Sequence, residues 1–188
     1  LPRFASELLH DVASGVAEGD LACRNRFVIS EDDRSATRPM ALLDRDGVLN
    51  RDSGYPFRPV DIVWIEGALD ALVRLRQAGY RVVVVTNQSG IARGFYREAD
   101  LLALNRWMDG VIRAHGGAIA SFYYCPFHPE ATVQAYRRDH PDRKPRPGML
   151  LKALSDYPTD IERSLMIGDR DSDMEAAAAA GVRGFKFT

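Results

Sequence analysis

YRVVVVTNQSG (residues 80–90) is the stretch on which the fold turns. Four consecutive valines in so short a run suit a strand covered on both faces, as strands are in a parallel sheet. The run then breaks into Thr86, Asn87, Gln88, Ser89 and Gly90, polar groups gathered where such a strand would end. Before it, GALDALVRLRQAG (67–79) reads as a helix closed by Gly79, and MALLD (40–44) as a short buried strand. After it, residues 98–115 read as a helix and AIASFYYC (118–125) as a third strand. PGMLLKALSDY (147–157) opens on Pro147, whose missing N–H costs nothing at a helix start. SLMIGD (164–169) is a fourth strand and GFKF (184–187) a last one. Between them DSDMEAAAAAG (171–181) is a helix with acidic residues at its positive end and Gly181 as its stop. This alternation predicts a three-layer α/β fold, doubly wound (Rossmann-like) around a mainly parallel sheet.

The chain has 188 residues, 46% of them hydrophobic and 27% charged, enough to bury one core. Its net charge of −1 gives no reason to expect a nucleic-acid partner. No apolar run approaches the ~18–20 residues of a membrane span, so no membrane partner is expected either. Two cysteines about a hundred residues apart, Cys23 and Cys125, make no disulfide framework and suit a reducing compartment. LPRFASELLHDVASG (1–15) carries Glu7, His10 and Asp11 where a signal peptide needs its apolar centre. A cytoplasmic monomer is expected. Residues 1–39 read as an extension of unknown role and 40–188 as the functional domain. Within the extension, Phe4, Leu8, Val12 and Val16 suit a short amphipathic helix, and SEDDRSATRP (30–39) a linker.

In doubly wound folds ligands bind beyond the carboxyl ends of the strands. The predicted ends carry Asp44-Arg45-Asp46-Gly47, Thr86-Asn87-Gln88, Cys125 and Gly168-Asp169-Arg170. Alternate residues of extended backbone share a face, so Asp44 and Asp46 are expected side by side with Arg45 pointing elsewhere. Close carboxylates repel and stay ionised cheaply only with a cation between them. With Asp169 as a third oxygen ligand, such a site suits Mg²⁺ better than zinc. Asp-x-Asp alone would equally fit an exposed turn. The order DRDGVLN, TNQSG, RKPRPG, GDRDSD argues otherwise.

These four stretches, in this order over residues 40–183, resemble the haloacid dehalogenase (HAD) superfamily of phosphohydrolases. The resemblance implies Asp44 as a nucleophile forming an aspartyl-phosphate, and Asp46 as acid to the leaving alkoxide and base to the water. It implies Thr86 and Lys144 on the transferring phosphoryl group. Mg²⁺ would be held by the Asp44 carboxylate, the Asp46 backbone carbonyl and Asp169, with Asp173 in support. Within the superfamily, DRDGVLN, Gly54-Tyr55, TNQSGIARG (86–94) and RKPRPGM are similar to the heptose-bisphosphate phosphatase and histidinol-phosphatase group. That group has no large cap domain, so specificity would fall to rim loops. Asn50, Gly54, Tyr55, Asn87 and Gln88 are the candidate substrate contacts, and Arg143 a planar fork for a second phosphate. The implied substrate is a phosphorylated small molecule, the C7 phosphate of heptose 1,7-bisphosphate first and histidinol phosphate second. A silent binding module would have lost one of the Asp residues or Lys144, and all are present.

The same group often carries a structural zinc bound by C-x-H and by C-x-C directly before RKP. This chain has Cys125, then Phe127 in place of the histidine, and His140 and Asp142 in place of the later cysteines. With His128 nearby a ligand set can still be written, but the thiolate-rich pattern is gone and a zinc-free loop is expected. Cys125 is then a buried strand-end thiol, and His128 a packed or hydrogen-bonded loop residue. Between Arg137 and Arg146 the segment holds five Arg or Lys against two Asp.

Overall fold

A computed structural model describes residues 23–26 and 35–188. Six strands form one sheet: β1 (Arg24–Arg26), β2 (Arg38–Leu43), β3 (Arg81–Asn87), β4 (Ser121–Cys125), β5 (Thr159–Gly168) and β6 (Arg183–Lys186). Their order is β1-β4-β3-β2-β5-β6. Every pairing is parallel except β1 with β4, which is antiparallel. From β2 the chain winds outward through β3 and β4, then crosses back to β5 and β6. The switch point therefore lies between β2 and β5, where a crevice opens at the carboxyl ends.

The valine run explains the layering. Val83, Val84 and Val85 are completely buried, and Val82 nearly so. Val82 and Val84 pack beneath Leu72 of α1 (Ala68–Gln77) and Leu104, Met108 and Ile112 of α3 (Glu98–Ala114). Val83 and Val85 face the other way, toward Leu150 and Ala153 of α4 (Gly148–Asp156) and Ala176 and Ala177 of α5 (Asp171–Ala179). The period of two sends alternate side chains into two separate cores. Each such buried aliphatic side chain contributes about 1.5–3 kcal/mol. A short helix α2 (Ser89–Ala92) follows β3 directly. Between β2 and β3 lie one 3-10 turn (Pro59–Asp61) and α1, with no inserted domain.

The three-layer fold is as the sequence predicts, with differences at the edges. β5 begins at Thr159 rather than 164, because Arg38 and Pro39 pair with Thr159 and Asp160 across a bulge. Ser164 staples it, accepting from the Met40 N–H at 2.9 Å and donating to the Asp160 carbonyl at 2.6 Å. No periodic signal marks that polar segment. The helix positions Phe4 to Val16 lie outside the described residues. Residues 24–26, on the same side of the proposed boundary at 39, are extended and add an antiparallel edge strand beside β4. Among the described residues, no helix is long and apolar enough to cross a membrane.

Candidate active site

β2, β3 and β5 end side by side, and their last residues meet over one cavity of about 400 Å³. Asp44, Asp46, Thr86 and Lys144 line its floor. Asp44 leaves β2 with its N–H bonded to the Ile167 carbonyl of β5 at 2.9 Å, which fixes it against Asp169. Gly47 then turns the chain at φ +86°, and a Cβ there would come within 2.3 Å of an Asp169 oxygen. Only glycine meets both demands. A Cβ on Gly168 would likewise meet Asp173 at 2.3 Å, so α5 can bring Asp173 against the strand end.

Lys144 is the electrostatic centre. Its side chain is 1% exposed, and its ammonium lies 3.1 Å from Asp44 Oδ1 and 2.6 Å from Asp173 Oδ1. It also donates to the Val85 carbonyl at 2.8 Å. The two carboxylate contacts are ion pairs, and the Val85 carbonyl takes the hydrogen bond. Asp44 Oδ1 takes a further bond from the Arg45 N–H at 2.7 Å. One oxygen of Asp44 is thus pinned, and the other has no protein partner among the described residues. Burial, opposed mainly by Lys144, pushes the Asp44 carboxyl up to about 6. Asp173 Oδ2 accepts from the Arg170 N–H at 3.0 Å, capping α5.

Asp44, Asp169 and Asp173 each bring one oxygen to within 4.8 Å of the others. Asp169 Oδ1 is buried without a hydrogen-bond partner, and burial raises the Asp169 carboxyl above its ordinary range. Lys144 pairs with two of the three carboxylates, Asp44 and Asp173, and among the described residues Asp169 has no ion pair. An all-oxygen set of this kind fits a hard divalent cation. Asp173, expected only in support, belongs to the cluster itself.

Asp46 is held more tightly than its spacing suggested, and Arg45 does not point elsewhere. The guanidinium folds back so that Nε donates to Asp46 Oδ1 at 3.0 Å and Nη2 to Oδ2 at 2.9 Å. The alternation rule fails because the strand ends at Leu43 and a turn begins, with Leu49 N–H on the Arg45 carbonyl at 2.9 Å. Two expected substrate contacts, Asn50 and the cavity-lining Asn87, hydrogen-bond to the protein. Asn50 is fully buried and donates to Asp46 Oδ1 at 2.9 Å. Asn87 clamps the Lys144 backbone, donating to its carbonyl at 3.0 Å and accepting from its N–H at 3.1 Å. Gln88 reaches the cavity and donates to Thr86 Oγ1 at 2.9 Å and Asp46 Oδ2 at 3.2 Å. Its Oε1 accepts from Tyr96 at 2.5 Å. Thr86 Oγ1 accepts that bond and keeps its own proton to donate. Arg45, Tyr96, Asp52 and Arg170 are among the residues that the sequence reading missed.

The mouth carries Asp52, Gly54, Tyr55, Arg143 and Arg170. Tyr55 is half-exposed at φ +56° and stands edge-on to Phe95 at 4.9 Å. Arg170 bonds Asp52 at 2.6 Å, and Arg143 Nη1 donates to the Phe127 carbonyl at 3.3 Å. Burial lowers the Arg143 guanidinium from its ordinary range.

Residues 126–143 are held by local backbone turns, among them a 3-10 turn at Gln134–Tyr136, and by side chains. Phe127 and His140 stack at 4.4 Å, and the Arg138 guanidinium lies 3.9 Å over the Phe127 ring. His140 Nδ1 accepts from the Asp142 N–H at 3.1 Å, and buried Asp142 pairs with Lys152 at 2.6 Å. His128 Nδ1 accepts from the Glu130 N–H at 3.0 Å. Cys125 is buried, which pushes its thiol up to about 11. Among the described residues, these four do not form a metal-sized cluster like that of the three aspartates.

The chain is similar to known proteins in sequence and in fold. A HAD-hydrolase-like family model matches residues 142–186. The D-glycero-beta-D-manno-heptose-1,7-bisphosphate 7-phosphatase of Rhodopseudomonas palustris is 46% identical over 150 residues, 80% of this chain and 83% of the relative. The D-glycero-alpha-D-manno-heptose-1,7-bisphosphate 7-phosphatase of Burkholderia mallei is 44% identical over 141 residues, 75% of each chain. A crystal structure of the D,D-heptose 1,7-bisphosphate phosphatase of B. bronchiseptica, complexed with magnesium and phosphate, superposes with a TM-score of 0.68. It is 36% identical and covers 79% of both chains. The chain belongs to the HAD family of phosphatases. It is an enzyme that hydrolyses phosphate esters.

Proposed function

We propose that this phosphatase removes the C7 phosphate of D-glycero-manno-heptose 1,7-bisphosphate through an aspartyl-phosphate, with Mg²⁺ as cofactor. The observation that carries the chemistry is the asymmetry of Asp44. One oxygen is fixed by Lys144 and the Arg45 N–H, while the other is left without a protein partner. An anchored carboxylate with one free oxygen is oriented for attack on phosphorus. The ester P–O bond breaks with its electron pair on the sugar oxygen, which takes a proton from Asp46. Asp46 then takes a proton from the water that attacks the aspartyl-phosphate, and Asp44 is released with inorganic phosphate. Thr86 donates to the phosphoryl oxygens, and Lys144 holds the phosphoryl group against Asp44.

Asp44, Asp169 and the Asp46 backbone carbonyl would hold Mg²⁺, with Asp173 beside them. When bound, it would neutralise charge on the phosphoryl oxygens. Arg143 and Arg170 at the mouth suit a second phosphate, which favours a bisphosphate substrate. The relatives' names support the heptose, although they divide between its two anomers. We take the loop at residues 126–143 to be zinc-free, because stacking and an ion pair already hold it. Two free cysteines and a sugar-phosphate substrate suit a cytoplasmic monomer in cell-surface carbohydrate synthesis.

The test is phosphate release from heptose 1,7-bisphosphate, histidinol phosphate and a generic ester, each with and without Mg²⁺. Heptose bisphosphate should exceed the others in kcat/KM by about 100-fold or more. Similar slow rates on all three would remove the heptose assignment and leave the phosphatase class intact.

A further inference from the structure

Arg45 is completely buried beside the cavity, yet the reaction above gives its side chain no part. Stability alone does not explain it. A buried guanidinium loses its hydration, and an apolar side chain of similar size is often as stable. Arg45 Nη1 is buried with no hydrogen-bond partner among the described residues, so the desolvation is not fully offset. What the guanidinium does achieve is geometric. Its planar edge grips both oxygens of Asp46, and Nη2 also donates to the Pro56 carbonyl at 3.0 Å. One rigid group thus ties the Asp46 carboxylate to the segment that brings Gly54 and Tyr55 to the mouth. Without it, only single amide bonds from Asn50 at 2.9 Å and Gln88 at 3.2 Å would orient that carboxylate.

We propose that Arg45 is a positioning residue, a fork that sets the Asp46 carboxylate at the angle from which it serves the leaving oxygen. The proposal rests on the acid–base role of Asp46 given above. A rotated carboxylate misses the leaving oxygen, and the loss falls on substrates whose leaving group needs a proton.

The test compares kcat/KM for glycerol 2-phosphate, which leaves as an alkoxide, with that for 4-nitrophenyl phosphate, which leaves as a stable phenolate. Arg45→Met should lose about 10- to 100-fold on the alkyl ester and less than about 3-fold on the aryl ester. Arg45→Lys keeps the charge but cannot fork both oxygens, so its selective loss should be smaller. Equal losses on both esters, or none, would overturn the assignment. Should Arg45→Met fail to fold, Arg45→Lys carries the test under the same criterion. Asp46→Asn separates the two layers. If it loses equally on both esters, the acid role falls and Arg45 with it. If it loses selectively while Arg45→Met does not, only the assignment of Arg45 fails.

Discussion

The rim of strand ends and the loop of residues 126–143 deliver charge to the same cavity, but different forces hold them. Backbone hydrogen bonds of the parallel sheet fix the rim, and Asp44 and Thr86 inherit their positions from β2 and β3. The loop has almost no regular structure. Local backbone turns, such as the His128 N–H on the Tyr136 carbonyl at 3.1 Å, are joined there by the Phe127–His140–Arg138 stack and the Asp142–Lys152 pair, side-chain contacts that no period relates. The difference teaches where each part is vulnerable. Rim substitutions should change chemistry without unfolding the protein, whereas loop substitutions should change stability first and activity as a consequence.

The largest expected effect is at the rim. Asp44→Asn should reduce turnover by at least about 10³-fold. The same change should stabilise the metal-free protein. The Asp44 carboxyl stands at about 6 in the folded chain against an ordinary 3.8, so its stabilising protonated form is lost as pH rises through 6. At pH 7 an uncharged Asn avoids that cost, worth on the order of 1–3 kcal/mol. Phosphate release and urea unfolding at pH 4 and pH 7 check both halves. A variant that is inactive and also less stable at pH 7 would break the comparison.

A smaller effect is expected from the loop. Phe127→Ala should cost about 2–4 kcal/mol through the lost stack. Turnover should fall about 10-fold as Arg143 and Lys144 shift, because small misplacements in a phosphoryl-transfer site are costly. Thermal melting and kinetics measured together separate the two. An intact melting temperature with lost activity would show the loop to be catalytic in its own right.

The smallest effect is an expected silence. Protein purified without chelator should contain less than about 0.1 zinc per chain, since a closed zinc site would bind far more tightly than purification could strip. Cys23 and Cys125, with thiols pushed up to about 12 and about 11, should resist alkylation at pH 7.5 while the protein is folded. Stoichiometric zinc would put the loop in the same class as the rim, held by a metal rather than by packing.

Most of the strand-end site was legible from sequence because strand-end residues have predictable addresses. The valine run and the Asp-x-Asp-Gly turn needed only period and order, and Lys144 was singled out by the resemblance of RKPRPG to the family's motif. The protein partners of Asn50 and Asn87 were not legible, because an amide looks the same whether it faces a ligand, a side chain or a backbone. Asn50 went to Asp46 and Asn87 to Lys144. Arg45 was misread because the two-residue alternation stops where β2 stops, one residue before Asp44.

The sequence by itself determined the layered α/β architecture and, through the resemblance carried by four ordered motifs, the family. The first follows from local periodicity, the second from the order of DRDGVLN, TNQSG, RKPRPG and GDRDSD along the chain. Only the tertiary structure decided which oxygen of Asp44 is free, that Arg45 grips Asp46, and that an aromatic stack and an ion pair hold the last loop. Those depend on where side chains far apart in the chain meet, and burial makes each meeting decisive because unpaired polar groups cannot turn to water there.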